Sequence, residues 1–417
     1  MIQFEKFILK NGLRCIVHTD NSTPMVAVNI LYDVGAKDEN PNQTGFAHLF
    51  EHLMFGGSLH IPDYDEPLQI AGGENNAYTT NDITNYYIQI PSKNVETAFW
   101  LESDRMLSLA FNEKSLEVQR KVVCEEFKEH YINKPYGDAW MYLRSLCYKQ
   151  HPYQWMTIGK ELSHIENAQL EDVKKFFFKH YRPVNAILSI AGNISVDEVK
   201  SLAEKWFGDI ESGEKYIRHI QEEPKQTESR RLVVEKDVPV SVIFKAFHIA
   251  NRTNEKYYVA DIITEIMSGG KSSRLYQELV KDNPLFSQID CYHTGSVENG
   301  LLVVEGKLLP NTTPENAEAA IDIELDKIKK HFVLDSELEK AKNKIESLIA
   351  FEDLSLLNRA NNLAFYELIG DANRMNTELS NYQKVNKDDV LQYANEVLIH
   401  SNSNTLLYLS KTDTIHE

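Results

Sequence analysis

What this 417-residue chain lacks narrows its function before any motif is read. It has only four cysteines, Cys15, Cys124, Cys147 and Cys291, far apart and with no C-x-x-C spacing. That excludes a disulfide-stapled scaffold and a clustered thiolate metal site, and makes a reducing cytoplasm the expected compartment. Long apolar runs are missing too, so no membrane insertion is expected. The opening stretch, MIQFEKFILKNGLRCIV, has no basic region ahead of an apolar core and alternates like a strand, so no signal peptide is expected. Positive charge is scarce: 44 Lys and Arg against 62 Asp and Glu give a net charge of −18, which argues against nucleic acid or an anionic membrane as partner. There is no low-complexity tract, and 42% hydrophobic with 25% charged residues is ordinary globular composition. A chain of this length holds two or three domains.

What is present centres on Ala47 to Gly56, AHLFEHLMFG. His48 and His52 stand one helical turn apart, so both imidazoles project from one face and can hold one metal ion. Glu51 sits beside them, within reach of a metal-bound water. This H-x-x-E-H order is the inverse of the commoner H-E-x-x-H and marks inverzincins. Leu49, Phe50, Leu53 and Met54 favour a buried helix, and Gly56-Gly57 would stop it. A catalytic zinc wants a third protein ligand, and the charged stretch Gln119 to Glu129 offers carboxylates for it.

With that stretch the chain resembles the M16 family of zinc metallopeptidases, the pitrilysin, insulysin and mitochondrial processing peptidase group. The resemblance implies a third ligand from a downstream glutamate in a pattern like E-R-x-V-[VI]-x-x-E. Aligning Arg120, Val122 and Val123 places it at Glu126 rather than its neighbour Glu125. The family often carries a supporting glutamate two turns earlier; here that position is Gln119. Gly72-Gly73-Glu74-Asn75-Asn76-Ala77 also resembles the family, whose G-G-x-x-N-A segment forms an edge strand that pairs with substrate backbone. This implies substrate contacts from Asn76 and Ala77 by β-augmentation, although an ordinary loop and edge strand would read the same way.

Taken in order, Phe4 to Val17 reads as two strands turning at Asn11-Gly12, Met25 to Val34 as a strand apolar on both faces, and Thr84 to Ile90 as another. Val95–Leu109 and Ser115–Leu146 read as long helices. His130, His151 and His164 are taken as surface or packing residues. The charged stretch Asp209 to Ser229 is the best linker. Beyond it the chain starts again: Phe46 to Gly57 aligns with Val259 to Gly270, both ending Met-x-Gly-Gly, and Asn185-Ala186-Ile187-Leu188 corresponds to Asn404-Thr405-Leu406-Leu407. In that register His48, Glu51 and His52 meet Asp261, Thr264 and Glu265, so the second copy lacks the metal ligands. Thr313-Pro314 opens a helix to about Phe332, and Asp335 opens a longer one that continues from Leu338 to about Ile369. The fold class expected is α+β: two homologous domains, each a mostly antiparallel sheet covered by helices, together half of a clam-shell peptidase chamber. The boundaries expected are 1–215 for the metal-binding catalytic domain, 216–229 for the linker and 230–417 for the second domain.

The resemblance implies zinc as cofactor and unstructured peptides as substrates, with Glu51 as general base. One departure bears on partners. Single-chain relatives supply an arginine and a tyrosine from the second half, and here those positions fall on Val280 and Ser287. Arg274 and Tyr276 are near in sequence but wrongly spaced. This implies a metal-bearing subunit completed by a second M16-like chain, or else a homodimer. A non-catalytic scaffold with the same fold, and a peptidase dedicated to one precursor, are the alternatives.

Overall fold

The computed structural model describes residues 1–411. Its strands form two sheets. The first contains β1 (Glu5–Ile8), β2 (Arg14–Thr19), β3 (Met25–Tyr32), β4 (Glu74–Thr79), β5 (Thr84–Pro91) and β6 (Ala186–Gly192), in the order β1-β2-β6-β3-β5-β4. The second contains β7 (Arg230–Lys236), β8 (Val242–His248), β9 (Phe286–His293), β10 (Leu301–Leu308) and β11 (Ser403–Ser410), in the order β7-β11-β8-β10-β9. In each sheet one pair is parallel, β2 with β6 and β7 with β11, and the others are antiparallel. From β2 onward the first sheet repeats strand for strand in the second, so the internal repeat is a repeat of topology.

The chain divides into two compact units whose members are not contiguous. The first takes 1–128, 155–221 and 350–377; the second takes 129–154, 222–349 and the described residues from 378 onward. The sheets lie on either side of the expected 216–229 linker, but two helical segments change sides. Within the first unit, β3 reads MVAVNILY and is buried along nearly its whole length, so both sheet faces need cover. Helices Val95–Leu107 and Val196–Phe207 pack on one face. Helix Leu356–Leu368 packs on the other, where Ala27, Ala191 and Ala360 let it approach closely and Ile16, Leu31, Ile187, Leu363 and Ala364 fill the layer. Within the second unit, helix Ala139–Cys147 plays the same part, with Ala139, Leu143 and Cys147 packed against Val242, Phe244, Ala246, Leu406 and Tyr408. Each sheet is covered on one face by a helix from the other half of the sequence.

Two expected long helices are broken. Ser115–Leu146 resolves into Glu113–Phe127, a wider turn over Lys128–Ile132, and Ala139–Cys147. Pro135 cannot donate to a helical ladder, and Tyr136 takes φ 62°, so the stretch between cannot stay helical. The second long helix stops at Glu352 and restarts at Leu356. There the Ser355 side chain accepts from Asn358 N and caps the new helix. The linker is pinned by its own charges: Arg218 binds Asp33 and Asp38, and the Glu223 carboxylate accepts from the amides of Lys149, Gln150 and His151.

Leu363 is fully buried beneath the first sheet. Leu363→Ala should therefore lower stability by about 2–5 kcal/mol, read as a drop in the urea midpoint of the whole chain. An unchanged midpoint would show that this helix is not part of the core.

Candidate metal centre

The helix Phe46–Leu53 is only eight residues long, and such a segment does not hold itself together in water. Its surroundings do so. Gly45 enters it at φ 88°, where a Cβ would stand 2.6 Å from the Ile158 carbonyl oxygen. The buried Glu39 carboxylate accepts from Gly45 N and Ala47 N, both at 2.8 Å, satisfying donors that a helix N-terminus leaves open. Just upstream, Thr44 Oγ1 lies 2.9 Å from His164 Nδ1, so His164 packs the entry loop. On the core side Phe50 stacks on Phe176, Phe177 and Tyr181. The helix ends at Leu53, with Met54 as its cap, and Gly57 takes φ 95° as the chain turns away.

Held this way, the helix presents His48 and His52 to Glu126, near the end of helix Glu113–Phe127. His48 Nε2 lies 3.7 Å from Glu126 Oε1, and His52 Nε2 lies 3.3 Å from Glu126 Oε2. Among the described residues this is the one group of three side chains placed to hold a metal, with donor atoms all within 4.8 Å of one another. Ligands about 2.0–2.2 Å from a tetrahedral zinc stand about 3.4 Å from each other, so the observed separations fit that ion. Burial pushes the His48 imidazole down to about 4, against the opposing pull of Glu126, so it is neutral at physiological pH and keeps a lone pair for a metal. The alternative third ligand, Glu125, points to solvent and binds Lys128 at 2.8 Å.

Glu51 lies on the same helix outside this group. Burial raises its carboxyl above the ordinary range, and the Thr79 hydroxyl, donating to Oε2 at 2.6 Å, and His52 oppose that. Thr79 belongs to β4, an edge of the first sheet whose outer side has no strand partner among the described residues. Asn76 and Ala77 lie on that edge, Asn76 exposed, and the Ala77 N–H donates to Asn76 Oδ1 at 2.8 Å. Thr79 and Glu39 are the two site residues that sequence reasoning gave no role. A carboxylate shortly before a helix start was a signal for Glu39; only the fold brings Thr79 to Glu51.

In the second unit, helix Lys256–Ser268 carries the residues aligned with His48, Glu51 and His52, and each is tied up internally. Asp261 binds His293 at 3.2 Å and Tyr382 at 2.6 Å, Thr264 donates to the Asp261 carbonyl, and Glu265 pairs with Lys344 at 2.8 Å. Val280 packs partly buried against the core, and Ser287 is exposed on β9. Arg274, the nearby cation, is bound to Glu337 at 2.7 Å.

Comparison with known proteins agrees with this architecture. Residues 14–158 match the family profile described as insulinase (peptidase family M16), and residues 167–345 match the peptidase M16 inactive domain. The zinc protease PqqE of Helicobacter pylori is 30% identical over 413 residues, covering 96% of this chain and 92% of that protein. The crystal structure of a protease from Helicobacter pylori superposes with a TM-score of 0.92 at 28% identity, covering 98% of this chain and 100% of that one. The periplasmic protease PqqL from Escherichia coli shares the fold at a TM-score of 0.82 and 16% identity; 99% of this chain covers 48% of that one. The chain belongs to the M16 family of peptidases, and its curated relatives are named zinc proteases. No helix among the described residues is long and apolar enough to cross a membrane.

One residue of the layer behind the site gives a pH signature. His180 is fully buried between Phe176 and Tyr216, neither ring nitrogen has a hydrogen-bond partner, and burial pushes it down to about 3. Below its unfolded value, about 6.5, the unfolded chain binds a proton that the folded chain refuses. The folded state is thus penalised progressively as pH falls from there towards 3. With a chelator present throughout, His180→Phe should lose less stability between pH 7.5 and 5 than wild type. Equal losses in urea midpoint would contradict this.

Proposed function

We propose that this chain is a zinc-dependent endopeptidase acting on unstructured peptides, the metal-bearing subunit of a two-subunit enzyme. The observation that carries the reading is the convergence of His48, His52 and Glu126 beside Glu51. His48, His52 and Glu126 would hold the zinc. When bound, the metal supplies Lewis acidity towards a peptide carbonyl and towards water. The outer edge of β4, with Asn76 and Ala77, takes an extended peptide as an added strand, a mode that depends on backbone rather than sequence. For that, the Ala77 N–H exchanges its bond to Asn76 for one to the peptide. Glu51 accepts a proton from the attacking water as the oxygen bonds to the scissile carbon, then passes it to the amine as the C–N bond breaks. Its raised affinity for protons, caused by burial, suits a base that must also act as an acid.

The second subunit is inferred from what the second half lacks. Val280 and Ser287 stand where single-chain relatives would carry an arginine and a tyrosine, and Arg274 is committed to Glu337. That this chain spans 48% of a longer protease of the same fold supports the same reading. A pure scaffold would have no use for a metal triad and a half-buried carboxylate beside it.

Three substitutions separate the roles. Glu51→Gln should keep one zinc per chain and lower cleavage of a quenched unstructured peptide by at least a hundredfold, since a positioned general base contributes about 10²–10⁴-fold. Zinc lost along with activity would mean that Glu51 is a ligand. Glu126→Gln should lose zinc at a metal concentration where Glu125→Gln retains it, measured by plasma mass spectrometry; the reverse would move the ligand by one position.

A further inference from the structure

We infer that Thr79 is a positioning residue for the base, tying the Glu51 carboxylate to the strand that receives the peptide. The inference rests on the zinc-peptidase reading above. Its geometry is specific. Thr79 Oγ1 donates to Glu51 Oε2 at 2.6 Å across 28 residues of sequence, a short bond to an ionisable acceptor. Glu51 is half-buried, and the Thr79 backbone N–H also bonds its carboxyl, so this one residue holds the group through two donors, of which the hydroxyl is the one a substitution can remove. The bond fixes the carboxylate against β4.

The position of Thr79 adds a second argument. Along β4 the residues alternate: Glu74, Asn76 and Tyr78 are exposed, while Asn75, Ala77 and Thr79 are half-buried. Ala77 and Thr79 therefore share a face of the strand, paired across the ladder with Tyr86 and Thr84. The strand whose outer edge would take the substrate thus also carries, two residues after Ala77, the hydroxyl that aims the base. A displacement of β4 on loading a peptide moves the acceptor for the water's proton with it. Substrate position and base position are set by one rigid element, as a near-attack arrangement requires.

The test uses the zinc-loaded enzyme in the assembly in which it turns over, with a quenched unstructured peptide as probe. Thr79→Val removes the donor at nearly constant shape, and Thr79→Ser keeps it. The expected result is a kcat about tenfold or more lower for Thr79→Val, with KM and zinc content unchanged and most of the loss recovered in Thr79→Ser. Peptide affinity, measured by fluorescence anisotropy in the Glu51→Gln background, should not change on adding Thr79→Val. A wild-type kcat for Thr79→Val overturns the inference. So does a loss that appears in peptide affinity, which would make Thr79 a docking residue, or one that Thr79→Ser does not recover. Should Glu51→Gln cleave as well as wild type, the zinc-peptidase reading itself fails. The contact is then decided by a double-mutant cycle on thermal unfolding of Thr79→Val and Glu51→Gln, where additive effects overturn it and a coupling supports it.

Discussion

The site depends on the clamping of one short helix. Phe46–Leu53 carries both histidines and the base, yet eight residues contribute too few internal hydrogen bonds to offset the entropy of ordering them. The Glu39 carboxylate closes its N-terminus, Gly45 permits the entry angle, and the Phe50 stack fixes its rotation. Rotation is the critical degree of freedom. A turn of the helix by one residue would swing the histidines about 100° away from Glu126, and the aromatic layer of Phe176, Phe177 and Tyr181 blocks such a turn. The same layer contains the orphaned His180, a buried polar group kept at a cost that grows as the pH falls.

The second constraint is the exchange of covering helices between sequence halves. Each sheet has a central strand buried on both faces, β3 in one and β8 in the other, and each needs a helix on the face that its own half leaves open. Helix Leu356–Leu368 covers the first sheet and Ala139–Cys147 covers the second, at corresponding places after the repeat. Neither unit is complete from its own half of the sequence. Among the described residues the second half has no matching group of metal ligands. Where the first copy has histidines, the second has Asp261 and Glu265, whose charges are satisfied by His293, Tyr382 and Lys344. In the second half those positions are taken up by internal ion pairs and hydrogen bonds.

Much of this was legible in the sequence, for physical reasons. The i, i+4 histidines and the strands expected at 25–34 and 84–90 follow from local periodicity, the internal repeat from alignment of the two halves, and the choice of Glu126 over Glu125 from the resemblance to the M16 pattern. The structure places His48, His52 and Glu126 together as that reading expected. What was not legible is non-local. The break within 115–146 had a local signal, Pro135 followed by Gly137, that the long-helix reading passed over, whereas nothing local tells helix 356–368 to cross to the first sheet. Thr79 lies two residues past the Gly72–Ala77 segment, but a hydrogen bond spanning 28 residues leaves no periodic trace.

The central claim is that two imidazoles and one carboxylate of this chain hold a zinc ion. X-ray absorption at the zinc edge, on the chain loaded with one equivalent, tests it most directly. The expected spectrum has only nitrogen and oxygen scatterers at about 2.0–2.1 Å, with the outer-shell signature of two imidazoles, falling to one in His52→Ala. A sulfur scatterer, or an imidazole count unchanged by His52→Ala, would contradict it.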